Sequence, residues 1–301
     1  MKKPFASVLS VVFFSLIVLA SMPFSLEAKT ISLSLASFGA PTHCNVTTAI
    51  DWAKEIESLS NGEVKIVAYW GGSLLKAGAI YDGVVQGAAD IGMDMPTYAK
   101  GRFPVAECIG LPWGYPNSEV SSQVAYDVLE KFKPKEIEDV HIFYLASMGG
   151  AALEGNKPIR TLQDIKGLKV RSAGNTVKII QALGGVSISM PITETYDALR
   201  KNTVDCTLNS LEALMLFKFA EVSKYTTKVP CIGYGSINWI FMSQKKWNSL
   251  PADIQKIFEE VSKKYTLINA KAWDKFDAEA VDFSKKYNVE FIDLANDEAN
   301  K

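Results

Sequence analysis

Ile31 to Leu35 alternates apolar and polar side chains, the period of a half-buried strand. Thr47 to Ser58 then turns to helical spacing, with Ile50, Ala53 and Ile56 on one face and Asn61-Gly62 closing it. Val64 to Tyr69 predicts a second strand, Ala79 to Gln86 a helix ended by Gly87, and Ala89 to Met93 a third strand. Strand and helix in alternation argue for a parallel, doubly wound sheet in an α/β fold. Pro104 to Pro116, rich in proline, glycine and aromatic residues, predicts a loop, Glu119 to Phe132 an amphipathic helix, and Val140 to Ser147 a strand. The Gly149-Gly150 pair after it marks a crossing point between domains.

A second alternating block runs from Lys157 to about Ile237. Leu168 to Arg171 reads as a strand preceded by the turn residue Gly167, Thr176 to Leu183 as a helix, Val186 to Ser189 as a strand, Glu194 to Arg200 as a helix and Val204 to Leu208 as a strand. From Ser249 the pattern changes to one long helix, Asp253 to Lys286, with Pro251 at its first turn and no glycine or proline inside. No internal repeat or low-complexity segment is present.

The first residues change the picture of where this chain works. Met1 to Ala28 carries Lys2 and Lys3, an apolar core from Val8 to Ala20 and a small residue at Ala28, which together predict a secretory signal peptide cleaved near Ala28. An uncleaved anchor is the alternative, but the core is shorter than the roughly 18 to 20 residues a spanning helix needs. No cysteine lies beside the core to be acylated, so a product free in the periplasm is expected. A hydrophobic content of 48% in 301 residues supplies cores for one large or two medium domains. The formal net charge of −1, with Lys and Glu interspersed, gives no basic footprint and argues against nucleic acid as a partner.

Four cysteines, Cys44, Cys108, Cys206 and Cys231, allow three full disulfide pairings in an exported chain and equally allow buried free thiols. Their spacings fit no zinc pattern, His43 and His141 have no partners at ligand spacing, and no metal site or cofactor is expected. GxSxG, GxxxxGK[ST] and a strand-linked GxGxxG are all absent from the sequence, so nothing asks for catalysis.

What chemistry there is centres on Arg171. It ends the strand from Leu168 and is followed by Ser172-Ala173-Gly174-Asn175 and a helix. Ligands of α/β folds bind at carboxyl ends of strands, and a guanidinium there is a planar fork of donors suited to a carboxylate. Asn209, Glu212 and Phe217 follow another strand; Asn209 is either a ligand contact or a plain turn residue. Asp94 and Glu154 lie near ends of strand-like segments, where a carboxylate could accept an ammonium or hydroxyls, or simply be solvated. Trp239 and Trp113 are candidate aromatic walls for a ligand.

The run Asp164-Ile165-Lys166-Gly167-Leu168-Lys169-Val170-Arg171, then Met190-Pro191 with Thr193-Glu194-Thr195-Tyr196-Asp197-Ala198-Leu199, then Val204 to Asn209, resembles the solute-binding proteins of tripartite ATP-independent periplasmic (TRAP) transporters, of the dicarboxylate- and sialic-acid-binding type. Gly62 to Ile66, Gly72-Ser73-Leu74 and Gly87 to Gly92 are similar in order and spacing. The resemblance implies a two-lobed periplasmic binding protein fold with a cleft between lobes and a long C-terminal helix bridging them. It implies lobe I from 29–150 with part of 239–301, lobe II from 151–238, and the bridging helix within 249–287. It further implies that Arg171 grips a ligand carboxylate with Asn209 beside it, that His43, after the first strand, lines the cleft, and that the partners are a small organic acid and the membrane subunits of an ion-coupled transporter. Most such receptors are monomers.

One departure matters. Sialic-acid binders of the family carry a second arginine about twenty residues before the first, where this chain has Ala151. A monocarboxylate is therefore favoured over a dianion, with amino acids also open through Glu154 or Asp94. A periplasmic sensor subunit of a signalling system and an exported hydrolase are the alternative functions.

Overall fold

The computed structural model describes residues 30–99, 101–232 and 235–299. The expected signal peptide lies outside the described residues. The strands are β1 (Ile31–Ser37), β2 (Val64–Tyr69), β3 (Ile91–Asp94), β4 (Val140–Met148), β5 (Ala152–Gly155), β6 (Lys169–Ser172), β7 (Val186–Ser189), β8 (Cys206–Asn209), β9 (Tyr225–Lys228), β10 (Ser236–Ser243) and β11 (Glu290–Asp293). They form two sheets, of order β2-β1-β3-β10-β4 and β11-β9-β5-β8-β6-β7.

In the first sheet β1 pairs in parallel with β2 and β3, as the alternation predicts. The sheet is nevertheless mixed and not purely parallel, because β10 runs antiparallel to both β3 and β4. It enters from the other direction, after the chain has built most of the second sheet. All eight residues of β10 are buried, which fits a central strand covered on both faces. Its parity splits it between two cores. Ile237, Trp239 and Phe241 pack with Ile80, Tyr81, Val84 and Phe103, while Ile240 and Met242 pack with Leu33, Leu35, Trp52 and Phe258.

The chain changes sheets between Met148 and Ala152. A Cβ at Gly149 would lie 2.0 Å from the backbone of Asn117, so the crossing strand fits there only without a side chain. Two further crossings follow: β10 starts at Ser236, ahead of the lobe boundary drawn at 238, and β11 joins the second sheet beside β9.

Two expectations are corrected. The segment after Pro104 is a short helix, Pro104–Ile109, and not loop. Proline fits its first position, and the distant Glu136 carboxylate accepts from the Val105 and Ala106 amides at 2.9 and 3.1 Å, completing an N-terminus no local residue caps. The single helix expected from Asp253 to Lys286 is two, Ala252–Ser262 and Tyr265–Ser284, separated by Lys263-Lys264. The first lays Ile254, Phe258 and Val261 on the first lobe's core. The second starts there with Tyr265 and ends in second-lobe cores with Trp273 and Ala280. At 1.5 Å per residue its twenty residues bridge about 30 Å.

Candidate functional site

Residues at or just past the carboxyl ends of β1, β3, β6 and β8 line one cavity between the two sheets, of about 60 Å³. Ligand clefts usually exceed about 300 Å³, so the lobes are drawn together around a small space. Contacts across the gap agree. The Asn175 amide of the second lobe donates to the Glu107 carbonyl of the first, and the Ile192 amide donates to the Tyr98 hydroxyl at 3.4 Å.

Arg171 is placed by β6, whose alternation sends Val170 into the core and Arg171 to the other face. It is 3% exposed. Nε and Nη2 both donate to the Met190 carbonyl, at 3.0 and 2.8 Å, and Nη1 donates to Asn209 Oδ1 at 3.0 Å. Asn209 is oriented in turn by donating to Thr207 Oγ1 at 2.7 Å. A guanidinium has five N–H groups, of which these bonds use three, and Arg171 also interacts with the Tyr98 hydroxyl. Among the described residues no carboxylate forms an ion pair with it. The Tyr98 hydroxyl sits close by; burial raises its pKa against the pull of the Arg171 charge.

His43 also lines the cavity. It caps the helix Cys44–Leu59, its Nδ1 accepting from the Asn45 amide at 3.2 Å, which leaves the proton on Nε2. Burial lowers its pKa to about 4, so the ring is neutral. Phe217 and Trp273 flank it, with centroids 5.3 and 6.1 Å away.

Arg171, Asn209 and His43 thus meet at one cavity, and the other four candidates do not reach it. Trp239 points the opposite way along β10, into the core with Tyr81 and Phe103, because its neighbour Asn238 takes the cavity side. Trp113 lies on the outer surface, 63% exposed, with Nε1 donating to the Cys108 carbonyl at 2.7 Å. Asp94 is buried behind the cavity; burial pushes its carboxyl up to about 7, against the pull of the Met95, Gly78 and Tyr81 amides. Glu154 is fully buried in β5, neither oxygen bonded, with its pKa raised well above the usual range first by burial and then by Glu212 and Asp277. Both acids are therefore buried, and neither lines the cavity.

Sequence reasoning missed Tyr98, Asn175 and Asn238. For Asn238 a signal was present: it is the lone polar residue in Ile237 to Met242, an otherwise apolar buried strand. Glu212 lines the cavity as well, and its carboxyl is raised well above normal by burial and by Asp277. Asp277, on the bridging helix, accepts from the Glu212 amide at 2.7 Å and is raised to about 6, chiefly by burial. All four cysteines are free, with Cys44 and Cys206 buried and Cys108 and Cys231 exposed. Among the described residues no cluster could hold a metal ion, and no helix is long and apolar enough to cross a membrane.

The profile of the bacterial extracellular solute-binding proteins, family 7 (DctP), matches residues 35–301. The chain belongs to this family. Its curated relatives include a solute-binding protein of Albidiferax ferrireducens, 29% identical in an alignment of 277 positions that covers 83% of this chain and 79% of the relative. A solved TRAP periplasmic solute-binding protein from Desulfovibrio salexigens, 31% identical, superposes with a TM-score of 0.78 over 90% of this chain and 84% of its own. Another, from Rhodoferax ferrireducens in complex with copurified benzoate, is 25% identical with a TM-score of 0.84 over 90% and 87% of the two chains. The family-7 protein described here is thus a TRAP-type solute receptor with the two-lobed α/β fold its motifs imply.

Proposed function

We propose that this receptor binds a small organic monocarboxylate, with the carboxylate on Arg171 and the apolar body between the lobes. The observation that carries the reading is the buried Arg171 guanidinium, which forms no ion pair with a carboxylate among the described residues. A buried charge without a counter-ion is costly, and a ligand carboxylate would supply the missing partner. Among the described residues Arg171 is the single lysine or arginine lining the cavity, so one negative charge is matched and two are not. Phe38, Tyr98, Phe217, Met93 and Met95 make the walls apolar and suit an aromatic or aliphatic body. Benzoate in the Rhodoferax ferrireducens protein, a relative of the same fold, supports that ligand class.

Because Arg171 and His43 come from different lobes, a ligand touching both binds the closed form more tightly than the open one. Only such differential affinity shifts the equilibrium toward closure. The closed receptor would then hand its ligand unchanged to the TRAP membrane subunits. Export with cleavage near Ala28 and a monomeric state complete the reading. Calorimetry of the mature protein with benzoate, mandelate, pyruvate and succinate tests it, with succinate expected to bind weakest. Truncating a buried, hydrogen-bonded charge pair costs about 2 to 5 kcal/mol, so Arg171→Ala should lose roughly 30-fold to several thousand-fold in affinity. Unchanged affinity in that variant would remove Arg171 from the site.

A further inference from the structure

The carboxylate accounts for one end of the cavity and leaves the opposite wall unexplained. Asn238 lines that wall from β10 of the first lobe. It is 1% exposed, and neither its Oδ1 nor its Nδ2 has a partner among the described residues. Buried side-chain amides are nearly always hydrogen-bonded, and one left bare destabilises the fold by its full desolvation penalty. A leucine would cost nothing of the kind here, since Ile240 and Met242 on the same face pack in the first lobe's core. The amide is therefore best accounted for by a group that is absent from the protein itself.

The surroundings say what that group is. His43, on the same lobe, offers an N–H from Nε2 and carries no charge. Burial and the Asp277 charge raise the Glu212 carboxyl well above the usual carboxylate range, which disfavours its charged form. Among the described residues an ammonium would find only Glu212, whose charged form is disfavoured, and a second carboxylate would find no second cation. The complement of the wall is thus uncharged. An amide presents a donor and an acceptor together, and a hydroxyl answers both, whereas a carbonyl would leave Oδ1 bare.

We infer that the ligand carries one hydroxyl group besides its carboxylate, that Asn238 and His43 read this hydroxyl from the first lobe, and that the receptor selects hydroxylated monocarboxylates over their parent acids. The inference rests on the carboxylate reading of Arg171 and deepens it. A site built around a hydroxyl rejects the analogue lacking it, because the protein's own polar groups are then left unpaired.

The test is calorimetry of wild type, Asn238→Leu and Arg171→Ala with benzoate, 3-hydroxybenzoate, 4-hydroxybenzoate, phenylacetate and mandelate. In wild type at least one hydroxylated acid should bind about tenfold or more tighter than its parent. In Asn238→Leu that ratio should fall below about threefold. Asn238→Ala gives the same reading if the leucine variant does not fold. Hydroxylated acids within about threefold of their parents in wild type, or a preference that survives both Asn238 variants, would overturn the inference while Arg171→Ala still abolished binding. Wild-type affinity in Arg171→Ala, or no binding of any of the five acids, would overturn the carboxylate reading itself and this inference with it.

Discussion

Asn209 Oδ1 accepts from Arg171 Nη1 at 3.0 Å, so a neutral amide stands where an internal counter-ion would fit. An aspartate at this position would neutralise the guanidinium from within and compete with any ligand carboxylate. Asn209→Asp is therefore expected to melt higher than wild type without ligand, and to bind benzoate roughly 30-fold more weakly or worse. Thermal melts and calorimetry on the same preparation check both, and an unweakened benzoate affinity contradicts the clamp.

Acidity should matter to stability in a stated direction. Glu154 keeps its proton in the folded protein well above the usual range, whereas the unfolded chain releases it near 4.5. Its contribution is present at low pH and is lost as pH rises, at about 1.4 kcal/mol per unit while the two states differ by a full proton. Glu212, Asp94 (about 7) and Asp277 (about 6) act in the same sense. His43 and His141, both lowered to about 4 from 6.5, act in the opposite sense, but only between those values. Above pH 6.5 the acids act alone, so urea unfolding should give a lower stability at pH 8 than at pH 6.5, and Glu154→Gln should shrink the difference. A flat profile in wild type would mean that these carboxyls are solvated.

Closure is exposed to a single methyl group. Gly174 has a φ of +53°, and a Cβ placed there would lie 2.8 Å from Thr97 Cβ on the opposite lobe. Gly174→Ala adds both backbone strain and a clash confined to the closed form. Small-angle scattering should show the wild type contracting with ligand and the variant staying extended, with a loss of about tenfold in affinity, since a penalty on the competent state reduces apparent affinity directly. Equal contraction would show that the lobes meet differently.

The thiols divide by environment. Burial raises Cys44 well above the ordinary thiol range, with Glu212 adding to it, and burial likewise raises Cys206. Cys108 and Cys231 are exposed. A disulfide-exchange reagent should modify two thiols in the native reduced protein and four after denaturation. Rapid modification of all four under native conditions would contradict the burial of Cys44 and Cys206.

The local pattern carried far into the fold and less far into the site. Strand and helix positions from Ile31 to Met93 and from Leu168 to Leu208 follow from periodicity, because those segments bury one face each, whereas the helix Pro104–Ile109 did not. Antiparallel β10 was beyond that reach, since the partner of a strand buried on both faces is set by tertiary contacts some hundred residues away. The break at Lys263-Lys264 was equally hidden, as neither residue disfavours a helix. Arg171 and Asn209 were legible as polar ends of apolar strands with a family pattern behind them. Trp239 failed on parity: one position along β10 separates the cavity wall from the core. Glu154 and Asp94 failed because a lone acid reads as solvated or functional, and the sequence does not say that an entire sheet will bury it.

The order β2-β1-β3-β10-β4 has a further consequence for how the molecule comes into being. Without β10 the first lobe is a three-stranded fragment and a separate β4, exposing Trp239's aromatic neighbours and the unpaired edges of β3 and β4. The missing strand is made only after β5 to β9, so the lobe that begins first must wait for most of the second. The second lobe in turn waits for β11, near the end of the chain, to cover β9. Each half thus holds the other's last piece, and the two lobes mature as one cooperative unit and not as beads on a string.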